Sequence, residues 1–462
     1  MIILLENILK GRKHIHFIGI GGSGMYPLAQ ILHSQGYYLT GSDNNETETL
    51  EAVRKMGIPV FMGQRAENIE GADLIVHTAA IMADNPELIA AKNSGVPVLE
   101  RSDLLGIVTS WFDNAICVSG THGKTTTTSM ITQILYTANI DLSAYIGGKL
   151  PCIHGSGIAG KSDILVCESC EFVDTFLKLY PDIAVILNID ADHLDYFKTV
   201  DNIIKSFHKF AENTTKAIII NKDDANSMKS IEGITGKEII TFGKDSSSDY
   251  YPENIRKING LQSEYTLMHK GEALGKITLH VAGNHNILNS VAAACASLYV
   301  GADFESIQKG LEDFRGASRR FEKLGFEKGV TVVDDYAHHP TELEATLSSA
   351  MEMGFNRVWA IFQPFTFSRT KLLLDDFARV LSIPDKTILT DIMGSREKNT
   401  FGIFTRNLAE KIPDCIWFPQ DESAEYTDER KYFNFQQVCD YVCENVSEGD
   451  LVITLGCGDA YK

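Results

Sequence analysis

The sequence predicts an α/β protein of three domains, each a mostly parallel sheet with flanking helices, Rossmann-like at either end and of the phosphate-loop type in the middle. Three observations carry this. The chain has 462 residues, too many for one hydrophobic core. Short β-branched apolar runs alternate with helical stretches along its length. Three of those runs, at 14–18, 115–119 and 330–334, each open a new series, which places the domains at 1–109, 110–317 and 318–462.

In the first domain, 14–18 (His-Ile-His-Phe-Ile) reads as a strand and 25–35 as the helix after it, with further strands at 37–41, 59–61 and 73–77. The turn between, Gly19-Ile-Gly-Gly-Ser-Gly24, satisfies G-x-G-x-x-G in its required strand–helix setting. Glycines there let the backbone of Gly21, Gly22, Ser23 and Gly24 approach a pyrophosphate, and the helix start adds N–H donors. Asp43, near the end of the second strand, suits a ribose hydroxyl. An NAD-dependent oxidoreductase and a UDP-linked ligand both fit this motif, since each presents a pyrophosphate.

The second domain opens with the strand 115–119 and a helix over 125–137, with buried strands at 163–167, 183–188 and 216–220. Gly120-Thr-His-Gly-Lys-Thr125 lies between the first two elements. It lacks the first glycine of the Walker pattern, position 118 being Val, but its Gly-Lys-Thr end is intact. Backbone N–H groups of Gly120, Thr121, His122, Gly123 and Thr126 would cradle phosphates, Lys124 would reach the β- and γ-phosphates of ATP, and the Thr125 hydroxyl would ligate Mg²⁺. Glu168, Glu171 and the segment Asn188-Ile-Asp-Ala-Asp-His193 follow two further strands. In a parallel sheet their loops open at the same carboxyl edge as the phosphate loop, where a carboxylate and an imidazole can hold Mg²⁺. The third domain carries strands at 330–334, 357–362, 387–390 and 451–455.

Composition narrows the partners. The net charge of −19, from 42 Lys+Arg against 61 Asp+Glu, argues against a broad nucleic-acid or anionic-membrane surface. No stretch reaches the ~18 apolar residues of a membrane span, and the apolar start is short and interrupted by Glu6. Nine scattered cysteines read as reduced thiols; Cys167-Glu-Ser-Cys170 has no second pair of zinc spacing. A cytoplasmic protein is expected.

These motifs, in this order, resemble the Mur ligases of peptidoglycan synthesis over essentially the whole chain. The resemblance rests on Gly19–Met25, Gly120–Thr127, Glu168–Glu171 with Thr175–Pro181, Asn188–His193, Gly283-Asn-His-Asn-Ile-Leu-Asn289, Arg319-Arg320-Phe321, Asp334-Asp-Tyr-Ala-His-His-Pro340 and Ser368-Arg-Thr370. It implies ATP-dependent joining of L-alanine to the lactyl carboxylate of UDP-N-acetylmuramate through an acyl phosphate, with Mg²⁺, and reassigns the glycine turn from NAD to the UDP pyrophosphate. A ligase attaching a recovered tripeptide to the same sugar nucleotide is the near alternative. By position, Lys124, Glu171, His193, His338 and Arg369 would be catalytic, Thr125, Glu171 and His193 metal ligands, and His285, Asn286, Asn289 and Asp335 nucleotide contacts. A monomer or weak homodimer is expected. Two departures stand out: the family's Q-P-H-x-Y-S-R-T is Gln-Pro-Phe365-Thr-Phe367-Ser-Arg-Thr here, and cysteines occupy 167 and 170.

Overall fold

The computed structural model describes residues 8–259, 262–281, 283–394, 397–419 and 427–461. It shows a three-domain α/β fold built on three sheets. By contacts the chain groups into two compact units, one holding the first two sheets up to Ala317, the other the chain from Ser318 together with segments 257–263 and 280–283.

The first sheet comprises β1 (His14–Ile18), β2 (Tyr38–Asp43), β3 (Val60–Met62), β4 (Leu74–His77) and β5 (Val98–Glu100), in the order β3-β2-β1-β4-β5 and parallel throughout. Strand order reverses at β1, so the glycine turn after it sits at the switch point where such sheets bind ligands. Ile15 and Phe17 are buried, as is His16, whose ring nitrogens reach Thr40 Oγ1 at 2.8 Å and Glu87 Oε1 at 2.8 Å. Those bonds make a buried polar residue tolerable in a central strand.

The second sheet runs β15-β14-β13-β12-β11-β10-β6-β9-β7-β8, with β6 (Asn114–Ser119), β7 (Ser143–Leu150), β8 (Gly155–Ile158), β9 (Ile164–Glu168), β10 (Ile183–Ile186), β11 (Ala217–Asn221), β12 (Glu238–Phe242), β13 (Tyr250–Asn259), β14 (Gln262–His269) and β15 (Glu272–Leu279). Strand β6 lies between β10 and β9 and parallel to both, so the loops after all three open at one carboxyl edge, as the sequence implied. The helix Lys124–Thr137 follows β6. Two of its threonines are satisfied within the helix: Thr128 and Thr132 donate their hydroxyls to the carbonyls of Lys124 and Thr128, each at 2.8 Å.

The third sheet has β16 (Glu322–Glu327), β17 (Val330–Asp335), β18 (Val358–Phe362), β19 (Lys386–Leu389), β20 (Ile416–Trp417) and β21 (Leu451–Leu455), ordered β16-β17-β21-β18-β19-β20.

Strand–helix alternation does not hold throughout. Strands β8 and β16 pair antiparallel, and β12 to β15 succeed one another without helices. Two of the turns responsible are Lys270-Gly271 (φ 49° and 90°) and Lys328-Gly329 (φ 49° and 78°), two-residue connections with both φ positive, the geometry that matches strand twist in a hairpin. Among the described residues, no helix is long and apolar enough to cross a membrane.

Candidate active site

The glycine turn is held from behind. Asp43 Oδ2 accepts the Gly21 N–H at 2.9 Å, and Oδ1 accepts those of Asn44 and Asn45 at 2.8 and 3.1 Å. The side chain placed by sequence near a ribose thus also braces the turn. Gly24 admits no side chain: an added Cβ would lie 2.7 Å from the Tyr145 hydroxyl. That hydroxyl accepts a hydrogen bond from Arg101, and Ser156 Oγ donates to Ser23 O at 3.0 Å, so first-sheet and second-sheet elements meet at the turn. A cavity of about 430 Å³ opens there, lined by Gly22, Gly24, Arg101, Tyr145, Glu168 and Thr175 among others. Burial pushes the Tyr145 phenol up to about 12, which keeps it a neutral hydrogen-bonding group.

The phosphate loop needs its two glycines. Gly120 (φ 145°) packs against Leu187 and Asn188, and Gly123 (φ 88°) caps the helix in the left-handed region. Asn188 stitches the loop down, its Oδ1 accepting His122 N at 2.8 Å and its carbonyl accepting Thr121 N at 3.0 Å. Thr121 Oγ1 takes the Asp190 N–H at 2.9 Å, and the His122 ring lies 3.8 Å from the Asp190 carboxylate.

Lys124 folds along the loop. Its Nζ donates to Gly120 O at 2.6 Å and Thr121 O at 3.0 Å, and pairs with Glu171 Oε2 at 2.9 Å. Glu171 is only 2% exposed. Desolvation depresses the ammonium, but the Glu171 carboxylate outweighs it, so the Lys124 pKa is raised and its ammonium stays charged. Thr125 Oγ1 donates to Glu168 Oε1 at 2.8 Å, and Glu168 Oε2 accepts Gly147 N at 2.7 Å. The resemblance grouped Thr125 with Glu171 and His193 as metal ligands; in the structure the carboxylate that meets the Thr125 hydroxyl is Glu168, which that grouping did not include. His193, at φ 52°, rests its ring on Phe172 with centroids 4.6 Å apart. Among the described residues, no three His, Cys, Asp or Glu side chains converge as a ready-made metal cage. Thr125, Glu168 and Glu171 nevertheless supply the hard oxygen donors that suit Mg²⁺.

The helix Asn284–Tyr299 meets the loop through Asn289, which packs against Gly123. Asn289 is buried in its second turn, which rules out a capping role, and an added Cβ on Gly123 would fall 2.7 Å from its Oδ1. Asn289 Nδ2 donates to Asn286 Oδ1 at 3.0 Å; His285 is exposed beside them.

The second unit has its own cluster at the end of β17. Asp335 is buried, accepts Phe321 N and Ala337 N at 2.8 Å each, and burial pushes its pKa up to about 6. His338 Nδ1 lies 3.0 Å from Tyr336 O and 3.2 Å from Glu342, so Nδ1 carries the proton and Nε2 is left as acceptor. Burial pulls its pKa down against the opposing pull of Glu342. Arg369 lies in the short helix Phe367–Leu372, with a buried Nη1 lacking a hydrogen-bond partner among the described residues. Glu342, Tyr336 and Arg320 join this cluster and were not singled out from sequence as site residues. Arg319 is structural: it bonds Asp334 at 2.8 Å and sits over the rings of Tyr336 and Tyr461.

A phosphate loop with a tethered lysine, facing carboxylates at one sheet edge and a glycine turn opening into a shared cavity, defines the class: an ATP-using α/β ligase of several domains. Family models agree. Residues 14–112 match the Mur ligase family catalytic domain, 118–297 the Mur ligase middle domain and 319–458 the Mur ligase glutamate ligase domain. The chain belongs to the Mur ligase family. It is 44% identical to a UDP-N-acetylmuramate–L-alanine ligase of Agathobacter rectalis, covering 97% of this chain and 96% of the relative. It is 42% identical to that of Caldanaerobacter subterraneus, covering 99% and 98%. The crystal structure of UDP-N-acetylmuramate-alanine ligase from Thermotoga maritima superposes with a TM-score of 0.78 at 27% identity, covering 97% and 96%. A murein peptide ligase of Psychrobacter arcticus shares the fold at a TM-score of 0.70 and 23% identity, covering 97% and 96%. The dehydrogenase reading of the glycine turn finds no support in these matches.

Proposed function

We propose that this enzyme joins L-alanine to the lactyl carboxylate of UDP-N-acetylmuramate, converting ATP to ADP and phosphate. The observation that carries the reading is the single cavity lined both by the glycine turn and by Glu168 at the phosphate-loop edge. A sugar nucleotide with its pyrophosphate on Gly21–Gly24 then extends its acyl end toward Lys124 and Glu171. The relatives named above support the choice of substrate. A carboxylate oxygen attacks the γ-phosphorus, the bond to ADP breaks, and an acyl phosphate results. The amine of alanine attacks the acyl carbon, and the tetrahedral adduct expels phosphate.

Lys124 bonds the β- and γ-phosphates as charge moves between them. Once its ammonium turns to phosphate, buried Glu171 requires another cation. Thr125, Glu171, His193 and Glu168 would hold Mg²⁺, which would supply charge neutralisation at the transferred phosphoryl group. Thr121, His122, Gly123 and Thr126 complete the cradle. His285, Asn286, Asn289 and Asp335 serve the nucleotide. His338 Nε2, kept neutral by burial, takes the proton of the incoming amine, and Arg369 pairs with an anionic group. We assign domain boundaries near 109 and 317, a cytoplasmic location, no nucleic-acid or membrane partner, and a monomer or weak homodimer.

Phosphate release, measured with ATP, Mg²⁺, UDP-N-acetylmuramate and single amino acids, tests this. Release should require both the sugar nucleotide and L-alanine. Release with a tripeptide and with no single amino acid overturns it in favour of the tripeptide ligase.

A further inference from the structure

Two loops leave the carboxyl edge of the second sheet, one carrying Glu171 and the other His193. Both are held in conformations that ordinary residues avoid. Val173 (φ 54°) and Asp174 (φ 57°) lie in the left-handed region in the first loop, and His193 (φ 52°) and Lys198 (φ 68°) in the second. Each such residue is strained and persists only where its surroundings over-determine it. The surroundings here are specific. Tyr196 Oη donates to Asp174 Oδ2 at 2.8 Å, and Ser206, from the helix Val200–Asn213, donates to the other oxygen of the same carboxylate. The Phe172 ring lies on the His193 ring at 4.6 Å and meets the edge of Tyr196 at 6.5 Å. Backbone bonds close each loop on itself, Asp174 N to Glu171 O and Tyr196 N to His193 O, both at 3.0 Å. The carboxylate–phenol bond and the tilted Phe172–His193 ring contact instead tie one loop to the other.

We propose that Asp174, Tyr196 and Phe172 form a clasp that sets the position of His193 relative to Glu171, and so act as positioning residues for the divalent cation. The inference rests on the reading of Glu171 and His193 as cation ligands. None of the three clasp residues is itself a catalytic residue. Ser206 is buried and fixes the Asp174 carboxylate, so the moving partner is the exposed Tyr196 side of the clasp. The phenol proton is held by that carboxylate, which raises the Tyr196 pKa.

Tyr196→Phe removes the bond to Asp174 and keeps the ring; Asp174→Asn weakens the same bond from the other side. Two readouts on the full-length protein separate the possibilities. In histidine-labelled protein, the ring resonance of His193, assigned by His193→Gln, should shift in both variants as its contact with Phe172 loosens. Mn²⁺ binding followed by electron paramagnetic resonance in the presence of ADP should weaken about three- to tenfold, the size expected for one net hydrogen bond, with the thermal midpoint nearly unchanged. An unmoved His193 resonance in both variants overturns the clasp. A moved resonance with unchanged Mn²⁺ affinity overturns its role in positioning the cation. His193→Gln and Glu171→Gln belong in the same titration. If neither weakens Mn²⁺ binding, the ligand assignment itself has failed, and the proposal falls with it for that separate reason.

Discussion

Lys124→Met should destabilise the first unit as well as abolish turnover, and the stability effect follows from one buried pair. Lys124 Nζ and Glu171 Oε2 are 2.9 Å apart, with side chains 14% and 2% exposed. Methionine keeps the apolar stem and removes the charge. Glu171 then remains in a buried position with no cation. Breaking a buried pair from one side costs about 3–5 kcal/mol, mostly because the surviving charge is stranded. Gly120 O and Thr121 O lose their donor as well. At ~2–4 °C per kcal/mol for a domain of about 150–250 residues, the melting midpoint should drop by roughly 6–20 °C. In Lys124→Met/Glu171→Gln the neutral amide has no charge to strand, so most of that loss should return, while phosphate release stays absent in both. Differential scanning fluorimetry in low-phosphate buffer, paired with the phosphate-release assay, reads both quantities. A single variant as stable as the wild type, or a double variant as unstable as the single, would refute the claim that Lys124 compensates Glu171.

Gly123→Ala forces a side chain into a left-handed φ of 88° and to 2.7 Å from Asn289 Oδ1, so kcat/KM for ATP should fall by about tenfold or more while binding of the sugar nucleotide by calorimetry is unchanged. Thr125→Ala removes the hydroxyl bonded to Glu168, and the Mg²⁺ concentration for half-maximal phosphate release should rise several-fold. Asp335 gives a pH signature: its folded pKa, about 6, lies above the reference 3.8, so its stabilising contribution is full below about 3.8 and lost as pH rises through about 6. Relative to wild type, Asp335→Asn should therefore gain stability between pH 4 and pH 7 by up to roughly 3 kcal/mol in urea unfolding, on top of a constant loss from one backbone acceptor; a pH-independent difference would count against it.

The parallel strands were legible because burial on both faces writes them as continuous apolar runs. Strand β10, Ile183–Ile186, is buried at every position, and β21, Leu451–Leu455, likewise. The strands β14 and β16 were not, for opposite reasons. In β14 buried and half-exposed residues alternate with Glu264, Thr266 and Ser263 interleaved, and in β16 almost nothing is buried. Their turns use Lys-Gly, not the Asn-Gly or Asp-Gly that marks a hairpin most clearly. The site was legible where backbone dictates residue type, as at Gly123. It was not legible where two like residues compete. Glu168 ends a strand and Glu171 opens a strained turn three residues later, and only the path between them decides which carboxylate meets Thr125. The Phe365 and Phe367 departures resolve as packing: Phe365 pairs with Met393 and meets His338 edge-on at 6.5 Å, and Phe367 lies over Gly394, where an added Cβ would be 2.4 Å from its ring.

The loop residues also bear on how one enzyme can hold so much charge without ordering it wrongly. Lys124 is tied to two carbonyls and one carboxylate, Thr125 to another carboxylate, and Asn188 to the loop backbone. Each bond offers a group that a phosphate or a divalent cation can replace like for like: phosphate oxygens for the carbonyls around Lys124, a cation for the ammonium on Glu171. If phosphate and cation bind as proposed, binding exchanges partners and strands no charge, the desolvation cost of Glu171 having been met in folding. A loop built with exposed, unpartnered charges would bind at a higher cost in ordering. Asn188, whose bonds do not exchange, and Gly123, whose left-handed φ turns the chain into the helix, hold the loop's shape, and loss of either should reduce affinity for the nucleotide before it alters the chemical step.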